Sequence, residues 1–203
     1  IRGDVFPSFY LYVIIYANID EVINVLLAKD WEDYEIIDAS NGQKLERWKD
    51  IYLLRPDPQI VGDNGDLLEK YHNMIDAVYY RSNKGGGHWE NLKNIPGSWN
   101  VNYKNLTFNI KQMGFKHTGL FPEQAVNWDW MINKIKKANR PIKVLNLFAY
   151  TGGASVACLS AGAAVTHVDS SRGMVDWCKE NVKSSGMEDY PVRYLVDDVI
   201  KFV

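Results

Sequence analysis

The last sixty residues repeat one pattern of apolar and polar positions. Short, mainly apolar runs fall at 144–148, 164–168 and 192–196, and between them lie segments 152–162 and 171–184 with helical spacing and small or polar residues at their starts. Continuous apolar strands alternating with helices predict a parallel sheet with both faces covered. Upstream the period changes. Trp99, Val101 and Tyr103 alternate with polar residues, and Leu106, Phe108 and Ile110 repeat the alternation after a turn near Lys104 and Asn105. Period-two alternation predicts antiparallel strands with one wet face, and the whole block 88–121 reads as a small antiparallel sheet. Ala125, Trp128, Met131, Ile132 and Ile135 share a helical face, so a helix is expected over 123–139, stopped by Pro141.

The first third is less regular. Asn41-Gly42 is a turn signal between two extended runs, and 45–54 reads as one strand closed by Arg55-Pro-Asp-Pro. A short helix is expected over 66–76, and Gly85-Gly86-Gly87 reads as a flexible bend. At the start, 9–16 reads as a strand and 21–27 as a helix capped by Asp20. The division that follows is 1–30, an extra segment of unknown role; 31–121, a small α+β unit; and 122–203, an α/β unit.

Composition narrows the picture. The chain has 203 residues, 46% of them hydrophobic, enough for a real core. Its formal net charge of -2 lowers the expectation of strong sequence-independent nucleic-acid binding without excluding a local basic face. The two cysteines, Cys158 and Cys178, lack metal-ligand spacing, so both read as packing residues, no metal is expected, and a reducing, cytoplasmic setting is. The apolar run 9–19 is too short to cross a bilayer, and no membrane partner is expected.

Three features fall at the ends of the three apolar runs. In an open parallel sheet, ligands bind beyond the carboxyl ends of the strands, so all three can meet one ligand. The first is Phe148-Ala-Tyr-Thr-Gly-Gly-Ala-Ser155, where Gly152 and Gly153 allow a sharp turn and the helix start offers N–H groups to an anion. An ordinary strand-to-helix turn would look the same. The second is Asp169, followed by Ser170 and suited to ribose hydroxyls; capping of the next helix is the plainer role, which Ser170 or Ser171 could also fill. The third is Asp197-Asp198-Val199, where a carboxylate suits an exocyclic adenine amine and Val199 an aromatic ring, against a plain cap or solvated loop. A dinucleotide would want G-x-G-x-x-G, which Tyr-Thr-Gly-Gly-Ala-Ser does not match.

Residues 146–157, Asn-Leu-Phe-Ala-Tyr-Thr-Gly-Gly-Ala-Ser-Val-Ala, with Val168-Asp-Ser-Ser171, resemble the class I S-adenosylmethionine-dependent methyltransferases. More narrowly they resemble the bacterial ribosomal RNA large-subunit methyltransferases that act on cytosine C5 or guanine N7. Residues 117–124, His-Thr-Gly-Leu-Phe-Pro-Glu-Gln, resemble the segment before the catalytic domain there, and 30–58 resembles the amino end of a branch without a PUA domain. The resemblance implies a Rossmann-like α/β fold of which the first three parallel strands are present, after a small, mainly antiparallel β unit. It implies S-adenosyl-L-methionine as cofactor and ribosomal RNA as partner. It puts Phe148, Ala149, Tyr150, Thr151 and Gly152 along the methionine end, Asp169 and Ser170 at the ribose, and Asp197, Asp198 and Val199 near the adenine. Phe121 and Gln124 are implied beside the same pocket. The family's Asp-Pro-Pro motif and its catalytic cysteine would lie beyond Val203, so the chain is expected to be partial and inactive by itself, no catalytic residue is named within it, and the open sheet edge is expected to invite self-association. A small-molecule or protein methyltransferase, and a non-catalytic module, are the alternatives.

Of the remaining residues, Lys134, Lys136, Lys137, Arg140 and Lys143 form a basic cluster that reads more simply as a solvated helix end than as a phosphate contact. Trp89, Trp99 and Trp128 read as core before base-stacking platforms, and Trp130 is grouped with them. His88 and His117 have no partner at catalytic spacing.

Overall fold

The computed structural model describes residues 27–203; the strand and helix expected before that lie outside the described residues. Strands β1 (Tyr34–Ser40) and β2 (Gln43–Trp48) form a hairpin. Asn41 and Gly42 both have positive φ, 47° and 73°, the backbone that a two-residue hairpin turn needs. The single strand expected over 45–54 is instead two: β2 turns at Lys49-Asp50 into β3 (Ile51–Pro56), with Trp48 paired to Ile51. Lys49 takes φ 61° and its N–H donates to the Asp33 carbonyl at 2.6 Å. A tertiary bond thus holds a turn that carries no glycine to announce it.

The helix expected over 66–76 is one turn, α1 (Leu67–Lys70), capped by the Asp66 carboxylate on the N–H groups of Leu68 and Glu69. It stops because Ile75 is drawn into a small core with Leu45, Leu54, Leu67 and Val78, and because the Asp76 carboxylate accepts the Tyr52 N–H at 2.7 Å. The next residues form β4 (Ala77–Arg81), parallel to β3 and antiparallel to β5 (Gly87–Asn91). The triple glycine is the tight turn of that hairpin rather than a loose bend. Gly85 and Gly86 have φ 89° and 72°, and a Cβ on Gly87 would lie 2.1 Å from the Tyr80 carbonyl oxygen. The five strands are ordered β1-β2-β3-β4-β5.

Strands β6 (Trp99–Tyr103) and β7 (Leu106–Ile110) pair where the alternation predicts, but as a separate two-stranded sheet. The block 88–121 is therefore divided, with β5 belonging to the five-stranded sheet and Pro96-Gly97 interrupting the chain between them. A 3-10 turn, Pro122–Gln124, leads into α2 (Ala125–Lys137). Then come β8 (Lys143–Leu147), α3 (Gly153–Ser160), β9 (Ala164–Asp169), α4 (Arg172–Ser184), β10 (Val192–Val196) and the short α5 (Val199–Phe202). The three strands are parallel, ordered β10-β9-β8, as expected for this α/β class.

Helices on both faces of this sheet are not what is found among the described residues. The order runs in one direction, and right-handed crossovers that advance in one direction put their helices on one face. Helices α3 and α4 touch each other and both touch β9. Leu145, alternating with Asn146, which faces α3, is 51% exposed on the other side. One apolar core joins the two parts of the chain: Trp48 and Leu53, then Val101, Phe108 and Ile110, then Trp128, then Val156, Leu159, Cys178 and Val182. Each large side chain buried there is worth about 1.5–3 kcal/mol of transfer free energy. Trp128 sits at its centre, against the rings of Trp31, Tyr103 and Phe108. No helix among the described residues is long and apolar enough to cross a membrane.

Candidate functional site

Because β8, β9 and β10 run in register, the segments that follow them emerge side by side: Leu147 is paired with Val168, and Asp169 with Val196. The segment after β8 carries unusual backbone. Phe148, Tyr150 and Gly152 have φ 51°, 52° and 85°, and two of the three are not glycine. Left-handed backbone at a non-glycine residue costs on the order of 1–3 kcal/mol and persists only where the surroundings over-determine it. Here they do. The Ala149 N–H donates to the Val168 carbonyl and the Gly152 N–H to the Ala149 carbonyl, both at 3.0 Å. The Tyr150 N–H donates to Asp169 Oδ2 at 2.8 Å. Asn181 Nδ2 donates to the Thr151 carbonyl at 2.8 Å, and the buried Thr151 hydroxyl donates to the Gly119 carbonyl.

Gly152 is required twice over. Its φ favours glycine, and a Cβ there would lie 2.2 Å from Cys178 Sγ. At Gly153 a Cβ would lie 2.8 Å from the Trp128 ring. Both cysteine thiols are buried, and burial raises Cys158 to about 11 and Cys178 to about 12. The N-terminus of α3 has no side-chain cap.

Asp169 ends β9 half-buried. Its Oδ1 accepts the Ser171 N–H at 2.9 Å, while Oδ2 holds Tyr150. Each oxygen keeps a further lone pair. Ser171, not Asp169, is the N-cap of α4, accepting the Met174 N–H. Ser170 is exposed. After β10, Asp198 is the N-cap of α5, with Oδ1 accepting the Ile200 N–H at 3.0 Å. Asp197 is exposed, and its N–H donates to the Asp169 carbonyl at 3.1 Å. Val199 is only 4% exposed, so its side chain belongs to the protein's own packing.

A strap, residues 111–121, crosses this loop. Phe121 packs on Tyr150 with ring centroids 5.4 Å apart, and His117 packs on Phe121 at the same distance. Burial first, then the cations of Arg55, Lys116 and Lys44, lower His117 to about 4, so it is neutral at pH 7. Tyr150 Oη donates to Met113 Sδ at 3.4 Å, and burial raises that phenol to about 12. Gln124 lies one turn beyond Phe121, its side-chain oxygen accepting from Asn127. The fold thus gathers Phe148, Ala149, Tyr150, Thr151 and Gly152 with Asp169, Ser170, Asp197 and Phe121. It gives the Thr151, Asp198 and Val199 side chains partners within the protein.

The supports of the loop, Met113, Cys178 and Asn181, and of the strap, Trp177, were not legible as such. Only Asn181 left a signal, as a buried amide on the apolar face of α4 between Cys178 and Val182. Trp89, Trp99 and Trp128 serve packing and internal hydrogen bonds, with Trp89 donating to Met113 and Trp99 to Trp48. Trp130 departs from them: it is 61% exposed, with the Lys134 amine 5.7 Å from its ring. Ser155 Oγ lies 2.9 Å from His167 Nδ1, a spacing that suits a nucleophile and base, but both residues are fully buried. Asn146 donates to the same hydroxyl at 2.9 Å, and burial lowers His167 to about 4. This is an internal tie between β8, α3 and β9.

The model of the S-adenosylmethionine-dependent methyltransferase family matches residues 70–203. The crystal structure of a SAM-dependent methyltransferase from Agrobacterium tumefaciens is 38% identical, with a TM-score of 0.79, covering 85% of this chain and 55% of that one. The ribosomal RNA large subunit methyltransferase K/L of Shewanella frigidimarina is 35% identical over 97 residues, 47% of this chain and 13% of that protein. Its counterpart from Syntrophotalea carbinolica is 29% identical over 124 residues, 61% of this chain and 17% of that protein. The chain therefore spans a small part of these curated relatives and just over half of the Agrobacterium protein. A match that takes in β4 through α5, with all three strands of the parallel sheet, establishes that the chain belongs to the S-adenosylmethionine-dependent methyltransferase family.

Proposed function

We propose that this chain binds S-adenosylmethionine at the carboxyl ends of β8, β9 and β10, and that its methyl group goes to ribosomal RNA. The observation that carries the reading is Asp169: a half-buried carboxylate at the end of the middle strand, held by two backbone N–H groups and with a lone pair left on each oxygen. That pair of acceptors fits the two adjacent hydroxyls of a ribose, each donating to one oxygen. The uncapped start of α3 fits the donor's carboxylate, which helix N-termini favour. The exposed Asp197 carboxylate fits an exocyclic amine. Phe121 and Tyr150 offer aromatic surface beside the loop, and Gln124 a nearby amide. Ala149, Thr151 and Gly152 act through backbone, as do Asp198 and Val199 at the third strand end; Phe148 and Ser170 stand exposed at the rim.

When bound, the donor supplies a methyl group on a positively charged sulfur that is reactive without further activation. The chain's own residues then orient that group and keep its surroundings fixed. Ribosomal RNA as acceptor is supported by what the K/L relatives are named for.

Isothermal titration tests the donor site. The chain should bind S-adenosylmethionine and S-adenosylhomocysteine but not NADH, and Asp169→Ala should weaken both by at least about tenfold, the scale of one or two lost hydrogen bonds to a charged group. Equal binding by the variant, or none by the folded parent, refutes the site. For the acceptor, binding to ribosomal RNA fragments should weaken steeply with salt; RNA affinity that ignores salt, or none at all, refutes that half.

A further inference from the structure

The strap 111–121 has little structure of its own. Two backbone bonds close it, Lys111 N–H to the Thr118 carbonyl at 3.2 Å and Met113 N–H to the His117 carbonyl at 3.4 Å. Its path is set from outside, and the five-stranded sheet supplies most of the anchors. Trp89 Nε1 donates to the Met113 carbonyl at 2.9 Å, and Gln112 Nε2 donates to Asn91 Oδ1 at 2.6 Å. Arg55 Nη1 donates to the Lys116 carbonyl at 2.7 Å, and Lys116 Nζ returns a bond to the Pro56 carbonyl at 3.1 Å.

Arg55 differs from the other anchors because it is a buried cation, 5% exposed on β3. Its Nε and Nη2 grip the two oxygens of Glu46, which is fully buried on β2 and also accepts from Tyr34 at 2.7 Å and meets Lys44 at 3.2 Å. A buried ion pair of this kind adds little net stability over a well-packed apolar pair. What it does provide is a guanidinium fixed in direction, with its remaining nitrogen, Nη1, free to donate to the Lys116 carbonyl.

Three residues after that carbonyl, Gly119 accepts the Thr151 hydroxyl. The approach is close: a Cβ on Gly119 would lie 2.2 Å from the Trp177 ring. Two residues later, Phe121 lies on Tyr150. The strap therefore reaches two of the residues of the strained loop, one of them in left-handed backbone.

We infer that Arg55 is a positioning residue for the donor site: through the Lys116 carbonyl it sets the register of the strap, and the strap holds Thr151 and Tyr150 in the binding conformation. The inference rests on the proposed donor site and adds a role for the five-stranded sheet, whose strands contribute no residue to that site.

The test is a double-mutant cycle on S-adenosylhomocysteine affinity, read by titration calorimetry beside the thermal midpoint. Arg55→Lys keeps a cation beside Glu46 but loses the fork that reaches Lys116. Thr151→Val keeps the shape and loses the bond to Gly119. Each should weaken binding roughly tenfold, as for one lost buried hydrogen bond. The pair together should be no weaker than the worse single change, because both break one path. A general loss of stability would instead multiply the two effects, and that result overturns the inference, as does unchanged affinity in Arg55→Lys. Should Arg55→Lys not fold, Glu46→Gln with Arg55→Met removes both buried charges and is read in its place, with the same outcomes. Binding that is lost in Asp169→Ala but indifferent to Arg55 overturns this inference alone; a folded parent that binds no S-adenosylhomocysteine overturns the donor site with it.

Discussion

Asp169 and Gly152 show how much one position can be asked to do. The Asp169 carboxylate accepts two backbone N–H groups, one from the helix that follows it and one from a tyrosine in left-handed backbone. Asparagine has one acceptor oxygen, so Asp169→Asn must present an amide N–H to one of those donors. It should lower stability by about 1–3 kcal/mol, read by urea unfolding, with donor affinity falling as well. Gly152→Ala adds a strained φ and a contact with Cys178. It should cost about 2 kcal/mol or more. Adding Cys178→Ala should restore only part of that, since the smaller side chain relieves the contact and not the backbone. Full recovery would mean that the left-handed φ carries no cost here. The glycine pair was readable in advance because glycine takes a sharp turn without the backbone strain that Phe148 and Tyr150 bear in the same loop. That Cys178 is what presses on it was not, because the two are 26 positions apart in the chain.

Among the elements, α4 joins both parts of the chain. Its Asn181 accepts the Asn109 N–H at 2.8 Å through Oδ1 and donates to the Thr151 carbonyl through Nδ2. Trp177 Nε1 donates to the Asn109 carbonyl at 2.9 Å. Asn181→Leu fits the apolar face of the helix but orphans a donor on β7 and an acceptor in the loop. Each orphaned group costs about 1–3 kcal/mol, so circular dichroism melts should show a large drop in midpoint despite the gain in apolar character. An unchanged midpoint would show that water satisfies both groups. The helices and the parallel strands were readable because their periods run over many residues. The Lys49-Asp50 turn, the short α1 and β4 were not. A turn held by the Asp33 carbonyl, and a helix cut short by the pull of Ile75 and Asp76, depend on partners distant in sequence.

For the whole molecule, buried titratable groups tie stability to pH. Burial lowers His117 and His167 from 6.5 to about 4. Glu46 moves from 4.5 to about 2 because the pull of Arg55, Lys44 and Tyr34 outweighs the opposing effect of burial. In each case the unfolded chain binds the proton at higher pH than the folded one, so stability falls as pH falls. The histidines act between about 6.5 and 4, and Glu46 between about 4.5 and 2. Thermal midpoints should therefore drop in two overlapping steps below neutral pH, and His167→Gln should flatten the upper one. A midpoint that holds steady from pH 7 to 4 would show that these imidazoles take up protons in the folded state as easily as in the unfolded one.

The sequence by itself determined the α/β class, the three parallel strands, the glycine turn and the carboxylate at the end of the middle strand, since each is set by local periodicity or by what a short stretch of backbone can adopt. It did not determine the separation of the β6–β7 hairpin from the five-stranded sheet, the single covered face of the parallel sheet, or the anchoring of the strap. Those depend on which distant groups meet: Arg55 on the Lys116 carbonyl, Thr151 on Gly119, and Trp128 filling the core between the two parts of the chain. Only the tertiary structure decides such meetings, because the free energy of each contact exists only once the chain has brought both partners together.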